Sequence, residues 1–96
     1  MSTLHLINKT DVSLWRICAA ALISGDTLLL IEDAVYAALP SQSTAAEVPA
    51  GVQVSALAED LAARGISAKI QSAVSRSTYN DFVALSLTHD RVVSWQ

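Results

Sequence analysis

The chain has 96 residues, of which 52% are hydrophobic and 16% are charged, and its formal net charge at pH 7 is −3. This length allows a single domain, residues 1–96. A small domain with so few charges cannot cover its surface with polar groups, which favours an interface with another subunit. The six lysines and arginines are spread along the chain, so we expect no direct contact with nucleic acid.

Neither a membrane span nor an export signal is predicted. No apolar run reaches the length of about 18 residues that a spanning helix needs. The start of the chain lacks the basic region and the long apolar stretch of a signal peptide. Cys18 is the single cysteine, so a disulfide within the chain is impossible. These features together predict a cytoplasmic protein.

The chain opens with a predicted strand and a predicted helix. Thr3–Asn8 alternates and then runs apolar, which is typical of a strand. Thr10 or Asp11 can cap the following helix, because either side-chain oxygen can accept a free backbone N–H. Apolar residues recur at helical spacing in this helix, at Leu14, Ile17, Cys18, Ala21 and Leu22.

A short buried strand is predicted after the first helix. Gly25 suits the turn that ends the helix, and Thr27–Ile31 is a continuous apolar run, which indicates a strand buried on both faces. Ala34–Leu39 begins a second helix. Pro40–Gly51 contains both prolines of the chain and is predicted to be a loop, or a short helix broken by Pro49.

The second half continues the alternation. Strands are predicted at Val52–Leu57, Ala68–Ser75 and Arg91–Trp95. Helices are predicted at Glu59–Arg64 and Thr78–Thr88, with Thr78 as the candidate cap of the second. Strands that alternate with helices form βαβ units and a parallel sheet. The predicted fold class is therefore α/β, a three-layer α/β/α sandwich with a mainly parallel sheet of four or five strands.

Cys18 is the one soft nucleophile in the sequence. An exposed thiolate there could carry a persulfide or attack a disulfide. Its place on the apolar stripe of the first helix, with no obvious base beside it, favours a buried structural thiol instead.

Glu32 and Asp33 are the best-placed polar pair for a ligand. They follow a buried strand, and ligands of open α/β sheets bind beyond the carboxyl ends of the strands. Two carboxylates adjacent in sequence seldom face each other, so they make a poor acid–base pair. The alternative is that Asp33 caps the helix that begins at Ala34.

The other residues that could carry chemistry form no recognisable site. His5 and His89 lack the spacing of metal ligands, and the three glycines form no phosphate-binding loop. We therefore expect no metal, no cofactor and no complete active site.

Three aromatic residues stand out in a chain that is only 5% aromatic. Trp15, Tyr36 and Trp95 are candidates for an interface, because buried interfaces favour aromatic anchors. Trp95 is next to last, where chains usually fray, so we expect it to dock either on its own domain or on a partner.

Four segments together resemble the TusB/DsrH family of sulfur-relay proteins. They are LHLINKT (Leu4–Thr10), GDTLLLIEDAVYAAL (Gly25–Leu39), ALAEDLAARGI (Ala56–Ile66) and YNDFVALSLTHDRVVSWQ (Tyr79–Gln96). The last segment carries an Asp-Phe-Val helix and a penultimate tryptophan, as family members do. The sequence departs from the family in Pro40–Gly51, at Ala34, where many members have glycine, and at Gln96, where an apolar residue is usual.

The resemblance implies a DsrEFH-like fold and the small B or H subunit of a heterohexamer with two copies each of three related subunits. The implied partners are TusC/DsrF-like and TusD/DsrE-like subunits, and sulfur carriers upstream and downstream that act through the complex. In the Tus version, persulfide sulfur passes toward 2-thiolation of the wobble uridine of transfer RNA. In the Dsr version, the same architecture serves sulfur oxidation. The sulfur-accepting cysteine lies in the D or E subunit, although some H-type members have a cysteine near the place of Cys18.

The preferred interpretation is a non-catalytic subunit of a TusBCD-type sulfur-relay complex that serves 2-thiolation of the wobble uridine, with a DsrH-type subunit in sulfur oxidation as the alternative within the family. One alternative is a persulfide carrier that uses Cys18. Another is a small-ligand sensor that uses Glu32 and Asp33. Neither the Tus nor the Dsr pathway is singled out by the residues.

Overall fold

The computed structural model describes residues 2–42 and 47–96. The strands in these ranges are β1 (Thr3–Ile7), β2 (Thr27–Leu30), β3 (Gln53–Leu57), β4 (Ser75–Ser77) and β5 (Arg91–Trp95). The helices are α1 (Val12–Ala21), the 3-10 helix η1 (Glu32–Ala38), α2 (Ala58–Ala63) and α3 (Tyr79–Thr88). The predicted alternation of strands and helices is confirmed.

Within the described residues, the five strands form one parallel sheet in the order β4–β3–β2–β1–β5. The strands β2, β3 and β4 are added one after another on one side of β1, and β5 is added on the other side of β1. Because crossover connections between parallel strands are right-handed, α1, η1 and α2 cover one face of the sheet, and α3 covers the other. This arrangement confirms the predicted three-layer fold, with five strands.

The hydrophobic core lies on the face of the sheet that α1, η1 and α2 cover, which we call the inner face. Its strand residues are Ile7, Leu28, Leu30, Val54 and Ala56. Cys18 of α1, Val35 of η1 and Leu61 of α2 belong to the same buried cluster. The inner face therefore holds most of the apolar burial that stabilises the fold.

All residues of β2 are buried. Leu28 and Leu30 point to the inner face, so Thr27 and Leu29 point to the opposite, outer face, because side chains alternate along a strand. Leu29 is 0% exposed. The prediction of a strand buried on both faces is confirmed.

Two helices begin at predicted capping residues. Asp11, and not Thr10, caps α1, since its Oδ2 accepts a hydrogen bond from the backbone N–H of Leu14 at 3.0 Å. Thr78 caps α3 in a capping box: Asp81 N–H donates to Thr78 Oγ1 at 3.1 Å, and Thr78 N–H donates to Asp81 Oδ2 at 2.9 Å.

The buried stripe of α1 differs from the predicted one at two positions. Cys18 and Leu22 are buried and Trp15 packs against the core, but Ile17 is 58% exposed and Ala21 is also exposed. At 3.6 residues per turn, Ile17 lies about 100° around the helix from Cys18. The core contacts only the side of the helix that carries Cys18 and Leu22.

The predicted strand at Ala68–Ser75 is wrong, because β4 begins only at the end of that segment. The preceding residues form turns in which Val74 N–H donates to the carbonyl of Gln71 at 3.1 Å. The side chain of Gln71 donates to the carbonyl of Leu39 at 3.0 Å. Val74 is nevertheless buried in the core cluster and Ile70 packs against it, so apolar residues that suggested a strand pack from a turn.

The predicted helix at Ala34–Leu39 is the 3-10 helix η1, which begins earlier, at Glu32. Of the predicted loop at Pro40–Gly51, residues 43–46 lie outside the described residues. Val48, from its described part, packs against the core.

Candidate functional site

Glu32 and Asp33 follow β2, at the edge of the sheet where α/β proteins bind ligands. Glu32 has a backbone φ of 50°, and its N–H donates to Asp60 Oδ2 at 2.6 Å. Asp33 Oδ1 accepts from Nε and Nη2 of Arg64 at 3.1 and 2.9 Å. The predicted ligand pair therefore belongs to an ion-paired cluster that ties η1 to α2.

The chemistry open to this cluster is limited. The hydrogen bond between Arg64 and Asp33 raises the pKa of the Arg64 guanidinium above its ordinary value, so Arg64 stays a cation. Asp33 does not cap η1, because the residue at the cap position is Ile31 and no side-chain hydrogen bond is made there. Within residues 2–42 and 47–96, no three His, Cys, Asp or Glu side chains form a group suited to a metal ion.

Cys18 lies in the core, where it is 1% exposed. Burial raises the pKa of its thiol to about 11. At neutral pH such a thiol is almost wholly protonated, whereas the thiolate is the nucleophile. This environment favours the structural interpretation of Cys18 over the persulfide carrier.

A cleft of about 460 Å³ lies between α1 and η1. Its lining is apolar at Val12, Trp15, Ala19 and Ala37, and polar at Thr10, Arg16, Gln42 and Glu47. Trp15 both packs against the core and lines this cleft. Cys18 is not part of the lining, so the structure does not bring the thiol and the cleft together.

Trp95 docks on its own domain. Its Nε1–H donates to His5 Nδ1 at 3.0 Å, so Nδ1 is the acceptor, and Nε2–H donates to Asp26 Oδ2 at 3.0 Å. Asp26 also accepts from the backbone N–H groups of Thr3 at 2.9 Å and Ile23 at 3.1 Å. One buried carboxylate therefore connects β1 to the end of α1 directly, and to Trp95 of β5 through His5.

Sequence reasoning did not single out Asp26. Burial by itself raises the pKa of this carboxyl, but the hydrogen bonds from Ile23, Thr3 and His5 outweigh burial and hold the pKa below its ordinary value. Its position between Gly25 and the buried β2 is the signal that could have found it, because a carboxylate there can reach free N–H groups.

Helix α3 covers the outer face loosely, since none of its residues is buried. A cleft of about 390 Å³ runs beneath it, and its lining includes the hydroxyl groups of Ser55 and Ser77. At its C-terminal end, Thr27 Oγ1 and His89 Nε2 lie 2.9 Å apart. Polar contacts therefore help to hold this helix on the outer face, where Leu4 and Leu29 are 0% exposed.

The solvent side of α3 carries three large apolar residues. Tyr79, Val83 and Leu87, spaced four residues apart, are 58%, 43% and 81% exposed. Tyr36 of η1 is 40% exposed. Among the described residues, no helix has the length and apolar composition that a membrane crossing requires. The exposed residues suggest an interaction surface and give no sign of a catalytic centre.

Comparison with known proteins gives matches in both sequence and fold. A family model described as "DsrH like protein" matches residues 10–92. Protein TusB of Escherichia coli O81 (strain ED1a) is 35% identical over 97 residues, which cover 96% of this chain and 99% of that protein. Protein TusB of Cronobacter sakazakii is 35% identical over 86 residues, which cover 84% of this chain and 90% of that protein.

The crystal structure of the ychN protein from E. coli has the same fold, with a TM-score of 0.71 over 99% of this chain and 100% of that one. At 23% identity this likeness concerns the fold alone. The sequence matches, by contrast, extend over most of the chain and include both halves of the sheet. The chain therefore belongs to the DsrH family.

Proposed function

We propose that this protein is a non-catalytic subunit of a sulfur-relay complex. The observation that carries the proposal is the family match along nearly the whole chain. The structure adds support, because the single thiol is buried and the exposed apolar residues lie on helices that a partner can reach. Such a subunit stabilises its partners and shapes the surface on which a sulfur carrier docks.

In its more specific form, the proposal is a TusBCD-type heterohexamer in the cytoplasm, with two copies each of this chain and of TusC-like and TusD-like subunits. The complex passes persulfide sulfur toward 2-thiolation of the wobble uridine in transfer RNA. The cysteine that accepts the sulfur lies in the TusD-like subunit. Family resemblance supports each of these points.

Co-expression with the two sister subunits tests the assembly. Size-exclusion chromatography with light scattering is expected to show a six-chain complex that contains two copies of this chain. A well-folded chain that elutes alone in the presence of both sisters contradicts the proposal. Among the interface candidates Trp15, Tyr36 and Trp95, Tyr36 offers the clearest variant: Tyr36→Ala is expected to weaken assembly, whereas Gln42→Ala serves as the control.

The amount of 2-thiouridine in transfer RNA tests the pathway. Deletion of the gene is expected to lower it, and both the wild-type chain and Cys18→Ser are expected to restore it. If Cys18→Ser fails to restore thiolation although the complex assembles, the persulfide-carrier alternative replaces the scaffold. If assembly occurs and thiolation is unchanged by the deletion, the Dsr-type role in sulfur oxidation replaces the Tus-type role.

A further inference from the structure

The two edge strands of the sheet, β4 and β5, differ in how well they are protected from pairing with another chain. The β4 edge has only three residues, and its Arg76 turns back to the carbonyl of Ser67 through Nε at 3.1 Å. The β5 edge has five residues, Arg91–Trp95, with no proline, no lysine and a single charge. Natural proteins usually blunt exposed edges with short strands, charges or proline. The β5 edge is longer, has no proline and carries its one charge at its first residue, Arg91.

The register of the sheet shows which backbone groups of β5 face outward. Arg91 N–H donates to the carbonyl of Ser2, in the line of β1, at 3.3 Å. Because backbone groups alternate in direction along a strand, Val93 and Trp95 also direct theirs to β1. Val92 and Ser94 therefore present their N–H and C=O groups to the outside. Within residues 2–42 and 47–96, β5 pairs with no strand other than β1.

We infer that this free edge pairs with the β5 strand of a second copy of the chain, in antiparallel orientation about a two-fold axis at Val93. In this register, each outward-facing Val92 lies opposite Ser94 of the second copy, and each such pair can exchange both of its backbone hydrogen bonds. The two five-stranded sheets join into one. This contact is a property of the chain itself and does not depend on the proposed relay function.

The side chains of β5 complement themselves in this register. Val93 meets Val93 of the second copy at a position without backbone hydrogen bonds, where cross-strand side chains approach most closely. Arg91 lies opposite Trp95 on the same face of the sheet, since both are registered with inner-face positions of β1. A guanidinium beside an indole is a favourable cation–π pair. No like charges meet, because Arg91 is the only charged residue of the strand.

Other antiparallel registers can also pair the outward-facing backbone groups, but in them fewer residues of the two β5 strands lie opposite each other. An axis at Val92 or at Ser94 leaves residues at one end without a partner, and neither places Arg91 beside Trp95. The register centred on Val93 uses all five residues of β5. Because a single strand pair is small compared with a standard interface, we expect a weak dimer whose population grows with concentration.

Ser94→Pro is the variant that tests the pairing. Proline removes an N–H that faces away from β1, so the ladder between β1 and β5 is kept while the outer pairing is blocked. Ser94→Ala is the matched control, because both variants lose the hydroxyl that accepts from Gln96 Nε2 at 3.2 Å. Sedimentation velocity on the isolated chain is expected to show a dimer for the wild type and Ser94→Ala, and a monomer for Ser94→Pro. A dimer that Ser94→Pro leaves intact overturns the inference.

Amide hydrogen exchange of the wild-type chain gives a test that needs no variant. In dilute solution, the N–H groups of Val92 and Ser94 are expected to exchange fast and those of Val93 and Trp95 slowly. At the concentrations used for NMR, Val92 and Ser94 are expected to become protected as well. Equal, fast exchange of Val92 and Ser94 in dilute and concentrated solution overturns the inference, whatever the behaviour of Ser94→Pro.

Discussion

At the scale of single residues, the buried polar groups explain how the two ends of the chain are held. Asp26 is 2% exposed and His5 is 3% exposed, and a buried polar group is tolerated only when it is hydrogen-bonded. Together they hold Trp95, which lies 90 positions beyond His5 in sequence. A penultimate residue is thereby part of the folded domain and does not fray.

Asp26→Asn is expected to lower the free energy of unfolding at pH 7 by about 2 kcal/mol, because hydrogen bonds to a charged acceptor are replaced by weaker ones. Urea unfolding followed by circular dichroism measures the change. Asp33→Asn is the matched control, since its side chain is 72% exposed and exposed ion pairs contribute about 1 kcal/mol or less. Equal effects of the two substitutions contradict the prediction.

The same carboxylate makes stability depend on pH. The folded-state pKa of Asp26 lies below the ordinary value of 3.8, so the ionised form stabilises the fold. This contribution is fully present at pH values above 3.8 and is lost as the pH falls through the folded-state pKa. The difference in unfolding free energy between the wild type and Asp26→Asn is therefore expected to shrink on acidification. A difference that grows as the pH falls contradicts this assignment.

The reactivity of Cys18 is a direct probe of its burial. With a pKa of about 11 and almost no exposure, the thiol is expected to react with Ellman's reagent far more slowly in the native chain than in guanidinium chloride. The unfolded chain supplies the control for the full reaction. Native reactivity equal to that of the unfolded chain revives the persulfide-carrier alternative.

At the scale of elements, local capping chemistry determines where α3 begins. The sequence Thr78-Tyr79-Asn80-Asp81 places a hydroxyl and a carboxylate at the spacing of a capping box, and the structure forms both hydrogen bonds. Because no residue of α3 is buried, this helix depends more on its cap than a helix with a buried face does.

Thr78→Ala is expected to destabilise the chain by about 1 kcal/mol, since it leaves the backbone N–H of Asp81 without its acceptor. Thr88→Ala makes the same change at the exposed C-terminal end of the same helix and is expected to stay within about 0.5 kcal/mol of the wild type. Thermal unfolding of both variants checks the contrast. A larger effect at Thr88 than at Thr78 argues against control by the cap.

The misplaced fourth strand shows the limit of local patterns. Alternation in Ala68–Ser75 resembles a strand, but its apolar residues pack against the core from turns: Val74 is buried and Ile70 packs against the core cluster. The position of Ile17 shows the same limit. An apolar residue on a helix can face either the core or the solvent. The packing of α1 against the sheet buries Cys18 and Leu22 and leaves Ile17 exposed.

At the scale of the whole molecule, burial is uneven between the two faces of the sheet. The inner face carries the large apolar cluster, whereas the outer face under α3 combines the buried Leu4 and Leu29 with a cleft lined in part by serine and threonine residues. The isolated chain therefore depends for its stability mainly on the inner face, and its exposed apolar residues remain available for association.

Leu61→Ala and Leu87→Ala separate these two roles. Leu61 is 0% exposed, so its truncation is expected to destabilise the isolated chain by about 2–5 kcal/mol. Leu87 is 81% exposed, and its truncation is expected to change stability by about 0.5 kcal/mol or less. Denaturant unfolding of both variants measures the difference. A comparable loss for Leu87→Ala indicates that α3 is buried in the isolated chain, contrary to the structure.

The sequence by itself determined the features that depend on local chemistry. Composition and alternation predicted the α/β class, apolar runs placed β1, β2, β3 and β5, and short polar side chains marked the caps at Asp11 and Thr78. Whole-chain resemblance led to the family. These signals succeed because the free energies behind them arise within a few neighbouring residues.

Only the tertiary structure decided the features that depend on distant residues. Asp26, His5 and Trp95 are brought together by the pairing of β1 with both β2 and β5, and no local pattern encodes that meeting. Which elements become neighbours also determines three other features: the ion pair of Asp33 with Arg64, the exposure of Ile17 and the position of β4. Each of these contacts joins segments that are far apart in sequence. The burial and hydrogen bonding of their residues are therefore determined only when the sheet assembles.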